Sequence, residues 1–149
     1  MDIRKSALIG RPRGVMFDLI EAAEHYPAFM PWCASATVLE RDENLVVARI
    51  QVDYHGARFA FTTRNAKRRP EWMAIELEEG PFDRFEGEWR LAELAPQGCR
   101  IDFELNYAFG GALLGRLAAP VFDSIADTLV DAFARRAEQV SPPVPGGMS

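Results

Sequence analysis

The sequence predicts an α+β fold in which an antiparallel β-sheet wraps around a long C-terminal α-helix, with two small helices near the N-terminus. Three observations carry this. Strand-length runs that alternate apolar and polar residues follow one another from Ala36 to Phe109. After Gly110-Gly111 the apolar period lengthens from two residues to that of a helix with one buried stripe. Ahead of the runs, residues 25–33 pack Tyr26, Phe29, Met30, Trp32 and Cys33 around Pro27 and Pro31. Proline lacks an amide hydrogen and holds its predecessor extended, so this stretch reads as a compact apolar turn that supplies a wall to something nearby.

Taken in order, residues 2 to 9 form a short strand, broken by Gly10-Arg11-Pro12, and Pro12 suits the first turn of a helix. Val15, Met16, Leu19, Ile20 and Ala23 then recur with helical spacing, so this helix ends near His25. Six strand runs follow the proline turn: Ala36 to Arg41, Leu45 to Tyr54, Ala57 to Ala66, Glu71 to Glu78, Arg84 to Leu94 and Arg100 to Phe109. Val46, Ala48, Ile50, Val52 and Tyr54 share one face, as do Phe59 and Phe61, Met73, Ile75 and Leu77, and Ile101, Phe103, Leu105 and Tyr107. One face is dry and the other wet, which describes a meander turned at Asp42-Glu43-Asn44, His55-Gly56, Arg69-Pro70 and Pro96-Gln97-Gly98. In the last third, Leu114, Leu117, Val121, Ile125, Leu129 and Phe133 fall on one helical stripe that covers the dry face. Pro120 predicts a kink there, or two helices joined near Ala119.

Composition limits the function. A chain of 149 residues, 48% hydrophobic and 26% charged, suits one domain over residues 1–140, with a proline- and glycine-rich tail at 141–149 expected to be disordered. A formal charge of -5 excludes generic DNA binding, which needs clustered cations against phosphates. One local cluster, Arg64, Lys67, Arg68 and Arg69, reads as a solvated hairpin turn. The N-terminal residues lack the apolar run of a signal peptide, and no later stretch is apolar enough to span a bilayer, so a cytoplasmic protein is expected. Cys33 and Cys99 match no metal or redox spacing and read as buried thiols. His25 and His55 lie beside no nucleophile motif, and the carboxylates Asp53, Glu76 and Glu86 fall on wet faces, so no catalytic residue, metal or cofactor is expected.

Several motifs carry a family resemblance. They are Tyr26-Pro27-x-Phe29-x-Pro31-x-Cys33, Phe61-Thr62-Thr63-Arg64-Asn65, Gly80-Pro81-Phe82 followed by Trp89, Cys99-Arg100-Ile101-x-Phe103, and Val121-Phe122 with Ala132-Phe133 and Arg136-Ala137. In this order, over nearly the whole chain, they resemble the coenzyme-Q-binding START-like family of the polyketide cyclase/dehydrase-like superfamily, which includes proteins called ribosome-association toxins. Two residues depart from its pattern: Trp32 stands where a small or polar residue is expected, and Pro120 where the helix runs on.

The resemblance implies a helix-grip fold with a cavity between sheet and helix that holds a hydrophobic molecule, such as ubiquinone or another prenyl lipid. The chain would then be a carrier supporting respiratory electron transport or quinone biosynthesis, meeting the inner membrane transiently. Burying one isoprene unit gives roughly 4 kcal/mol before costs, at ~0.8 kcal/mol per methylene-sized group. Tyr26, Phe29 and Trp32 would border the cavity mouth, with Phe61, Phe82, Trp89, Phe103, Val121 and Phe122 as apolar lining. Thr63, Arg64, Asn65, Tyr54 and Tyr107 are candidate donors to a quinone carbonyl, and Leu113, Leu114 and Leu117 a membrane-touching gate. Each of these has a plain alternative as core or surface. The resemblance also allows a ribosome-association toxin that binds the large ribosomal subunit and blocks subunit joining. That role would rest on Arg64, Lys67, Arg68 and Arg69. A cyclase- or hydratase-type enzyme is a third reading.

Overall fold

The computed structural model describes residues 1–140. The chain runs β1 (Asp2–Ile9), α1 (Arg13–Glu21), a 3₁₀ helix (Ala23–Ala28), β2 (Cys33–Arg41), β3 (Leu45–Tyr54), β4 (Ala57–Arg68), β5 (Trp72–Glu79), β6 (Phe82–Leu94), β7 (Gly98–Phe109) and α2 (Ala112–Val140). All seven strands form one antiparallel sheet in the order β1-β7-β6-β5-β4-β3-β2. From β2 to β7 it is the meander that the alternation predicts. The N-terminal strand closes it by pairing with the last one, Ile3 opposite Leu105 and Ala7 opposite Ile101.

Local chemistry sets the turns. Between Tyr54 and Ala57 only His55 and Gly56 remain, with φ of 48° and 83°. A two-residue loop with both φ positive matches the right-handed twist of its flanking strands, and glycine takes the second position without steric cost. Gly80, before β6, has φ of 155°, and a Cβ there would come within 2.6 Å of Phe61 Cβ. The glycine of the Gly80-Pro81-Phe82 motif therefore lets β4 and the β5–β6 connection approach closely.

Three expectations need correction. The first helix stops at Glu21 rather than near His25; Pro27 lies in a separate 3₁₀ turn, whose tighter winding suits short pieces. Helix α2 is one uninterrupted element across Pro120, not two helices joined near Ala119. Its buried stripe is Ala118, Phe122, Ile125, Ala126, Val130, Phe133 and Ala137, so Leu117 is left in solvent. A shift of one residue turns a helix by about 100°, and the small Ala118 together with the large Phe122 matches the sheet better than Leu117 and Val121. The expected tail disorder lies outside the described residues.

The core fills the space between the dry face of the sheet and α1, the 3₁₀ helix and α2. Both thiols are buried there, and burial pushes Cys33 up to about 11 and raises Cys99 as well.

Candidate ligand cavity and its ionic rim

The core is not solid throughout. A cavity of about 100 Å³ lies between the middle of the sheet and the helices. Alternate residues of successive strands form its floor: Ala48 and Ile50 of β3, Phe61, Thr63 and Asn65 of β4, Met73 and Ile75 of β5, Trp89 of β6, and Phe103 and Leu105 of β7. Ile20 and Glu21 of α1, Tyr26 of the 3₁₀ helix, Trp32, and Phe122, Ile125, Ala126 and Leu129 of α2 form the walls and roof. Small side chains make the space, since Ala23, Ala48 and Ala126 stand where larger residues would meet across it. Ligand pockets for drug-sized molecules run about 300–1,000 Å³. The cavity as it stands therefore takes something far smaller than a prenylquinone.

Polar groups gather at one end. The Tyr26 hydroxyl donates to the Ile20 carbonyl, and burial raises its pKa strongly. Asn65 Nδ2 donates to Met73 Sδ at 3.8 Å, while Asn65 Oδ1 is buried with no partner. Glu21 is held on both oxygens, by Lys67 Nζ at 2.7 Å and by an Arg41 guanidinium nitrogen at 2.7 Å. Arg41 also donates to Glu24 at 2.7 and 3.0 Å; that bond holds the Glu24 carboxyl below its ordinary range and raises Arg41. Arg69 grips Asp18 through two bonds of 2.8 and 2.9 Å. Together these pairs tie α1 and the 3₁₀ helix to β2 and the β4–β5 turn.

The basic cluster is thus not a plain solvated turn. Lys67 continues the inward row of Phe59, Phe61, Thr63 and Asn65, and its side chain is only 7% exposed. Continuing the period of two past Asn65 would have placed it there.

Of the sequence candidates, Tyr26, Trp32, Phe61, Thr63, Asn65, Trp89, Phe103 and Phe122 come together around the cavity. The others do not. Arg64 alternates to the outer face, exposed between Glu40 at 3.8 Å and Glu78 at 3.7 Å, and cannot reach a guest. Phe29 packs on Tyr26 and Phe133, with ring centres 6.1 and 5.9 Å away. Tyr54 lies at the β3–β4 hairpin against His55, 4.0 Å between centres. Phe82 and Tyr107 belong to an aromatic cluster beside the cavity, Phe82 stacked on Phe109 at 4.5 Å and Tyr107 edge-on to Phe122 at 4.8 Å. Val121 is half-buried outside the wall, and Leu113 and Leu117 are exposed. The candidates left out much of the lining, including Ile20, Glu21, Ala48, Met73, Leu105, Ile125 and Ala126. The strand alternation already indicated Leu105, but nothing in the order of residues marks a glutamate as part of an apolar wall.

A long helix gripped by a sheet, with a hollow between, defines the fold, and residues 9–134 match the family described as polyketide cyclase / dehydrase and lipid transport. The chain belongs to this family. It is 36% identical, over 93% of its length and 96% of the relative's, to a protein of Pseudomonas aeruginosa named ribosome association toxin RatA. The Escherichia coli K12 protein of the same name is 31% identical over 93% of this chain and 87% of its own. Similarity to the mitochondrial coenzyme Q-binding protein COQ10 homolog B of Xenopus laevis is lower, 22% over 94% of this chain and 59% of that protein. Among solved structures, a START superfamily protein from Mycobacterium smegmatis superposes with a TM-score of 0.77 at 17% identity, covering 94% of this chain and 99% of that one. An aromatase/cyclase from Streptomyces sp. R1128 gives 0.77 at 18% identity, covering 93% and 94%. These structures share the helix-grip START-like fold. No helix among the described residues is long and apolar enough to cross a membrane.

Proposed function

We propose that this chain acts at the ribosome, associating with the large subunit and hindering subunit joining. One observation carries the reading: identity of 36% spread over 93% of the chain and 96% of a relative named a ribosome association toxin. The small cavity favours it over a ubiquinone carrier, because a space of about 100 Å³ is too small for a prenylquinone. Exposed Arg68, and Arg64 and Arg69 once released from their surface carboxylates, stand on β4 and its turn, where they can meet RNA phosphates. The role is a binding one; His25 and His55, the only imidazoles, are exposed and outside the cavity wall. The test is sedimentation of purified protein with isolated large and small subunits through sucrose gradients. Co-sedimentation with large subunits and a loss of joined ribosomes are expected, and protein that stays at the top of the gradient overturns the reading.

A second reading concerns the cavity: it takes a small apolar guest. Its apolar lining supports this, and such a guest acts as a stabiliser or regulator rather than as cargo in transit.

A further inference from the structure

Of the polar atoms that line the cavity, Asn65 Oδ1 is the one, among the described residues, that is buried without a hydrogen-bond partner. The amide nitrogen of the same side chain donates one hydrogen bond, to Met73 Sδ at 3.8 Å. A buried acceptor with no partner in the protein is destabilising, and a donor brought by a guest recovers that loss. Nearby groups add acceptors more than donors. Tyr26 has spent its only hydroxyl hydrogen on the Ile20 carbonyl, so its oxygen can only accept. Both Glu21 oxygens keep lone pairs after bonding Lys67 and Arg41. Thr63 can turn its hydroxyl either way.

Charge narrows the choice further. Glu21 and Glu24 are matched by Lys67 and Arg41, two carboxylates against two cations, so the rim carries no net charge to attract an ionic guest. Bringing an ion into so apolar a space costs more than bringing a neutral hydroxyl. A cavity near 100 Å³ is on the scale of one ring, since an engineered apolar cavity of about 150 Å³ takes benzene.

We infer that the cavity is a site for a small neutral molecule bearing a hydroxyl group, a phenol-sized body whose O–H donates to Asn65 Oδ1. An oxidised quinone ring carries acceptors only and leaves Asn65 Oδ1 unsatisfied, whereas its hydroquinone, or a phenol, satisfies it. The inference rests on the apolar-guest reading of the cavity and is independent of the ribosomal one.

Phenol and toluene test it, because they share a shape while toluene is the more hydrophobic. Titration of labelled protein, followed by NMR shifts of Thr63, Trp89 and Ala126, should show phenol binding about 10-fold tighter, the equivalent of one added hydrogen bond of about 1.4 kcal/mol. Asn65→Leu should reverse the order, and Asn65→Asp, which keeps an acceptor in place, should preserve it. Toluene binding as well as phenol to the unchanged protein overturns the hydroxyl assignment, as does a phenol preference that survives in Asn65→Leu. Failure of both probes to shift those resonances overturns the apolar-guest reading together with it, while the sedimentation result stands apart from either outcome.

Discussion

Two regions of the groove between sheet and α2 differ in packing: one is packed solid and the other is hollow. At the solid end Phe59, Phe82, Tyr107 and Phe109 close around Phe122, with ring centres 4.8 to 6.0 Å from it. Tyr107 and Phe109 meet Phe122 edge-on, while Phe59 and Phe82 are tilted against it, all at separations where aromatic pairs gain beyond simple burial. At the other end Ala48, Ala126, Thr63 and Asn65 face each other, and the space between them stays open. The contrast lies in side-chain size at a few positions, where alanines stand at the hollow end and phenyl rings at the solid one. The solid end supplies rigidity; the hollow end holds the polar groups and ion pairs that would be misplaced among phenyl rings.

Phe122→Ala is the sharpest way to break the solid end. Removing the ring around which the others pack should cost about 3–5 kcal/mol, read by urea unfolding, and a loss under about 1 kcal/mol would show that the two ends are packed alike. At the hollow end, Glu21→Gln leaves the nearly buried Lys67 ammonium facing a neutral amide and should cost about 3 kcal/mol. Lys67→Met should cost clearly less, because Glu21 keeps Arg41. Equal losses in the two variants would mean that the rim is ordinary solvated surface. Ala126→Val should act in the opposite sense from Phe122→Ala: its added methyl groups fill empty space and stabilise by about 1 kcal/mol while abolishing probe binding. Destabilisation instead would mean that the void closes on its own. The smallest effect belongs to Asp18→Asn, which frees the exposed Arg69 and should cost less than about 1 kcal/mol.

Acid offers a separate test of the rim. Glu24 has its folded pKa held below the unfolded one by Arg41, so the stability it contributes is complete above the ordinary carboxylate range and is lost as pH falls through the folded value. Thermal midpoints measured from pH 6 downward should therefore fall less steeply below about pH 4 in Glu24→Gln than in the unchanged chain. Parallel curves would remove Glu24 from the rim's energetics.

The sheet was legible because alternation leaves little choice: once Phe61, Met73, Trp89 and Phe103 are each placed in an apolar row, the dry face follows, and a gap between strands and helix can be lined only from it. Phe61, Thr63, Asn65, Trp89 and Phe103 reached the cavity for that reason. What was not legible depends on rotation and reach. Leu117 was misplaced because a helical stripe read from residue types is uncertain by one position, and Ala118 and Phe122 win by fitting the sheet. Lys67 was read as solvated because its charge outweighed its place in the row, although its long stem lets the ammonium find Glu21. Arg64, one residue removed from Asn65, alternates to the opposite side and holds only surface partners.

The pairing of the first strand with the last carries a consequence for synthesis. Asp2 meets Asn106, and Ile9 meets Cys99, so β1 is made well before the strand that satisfies its hydrogen-bonding edge, with β2 to β6 synthesised in between. Contacts that span so much sequence form late and slowly. During that interval β1 is an open edge able to recruit other nascent strands. A stalled or truncated product ending before β7 should therefore aggregate, whereas one released just after it has every strand it needs to close the sheet.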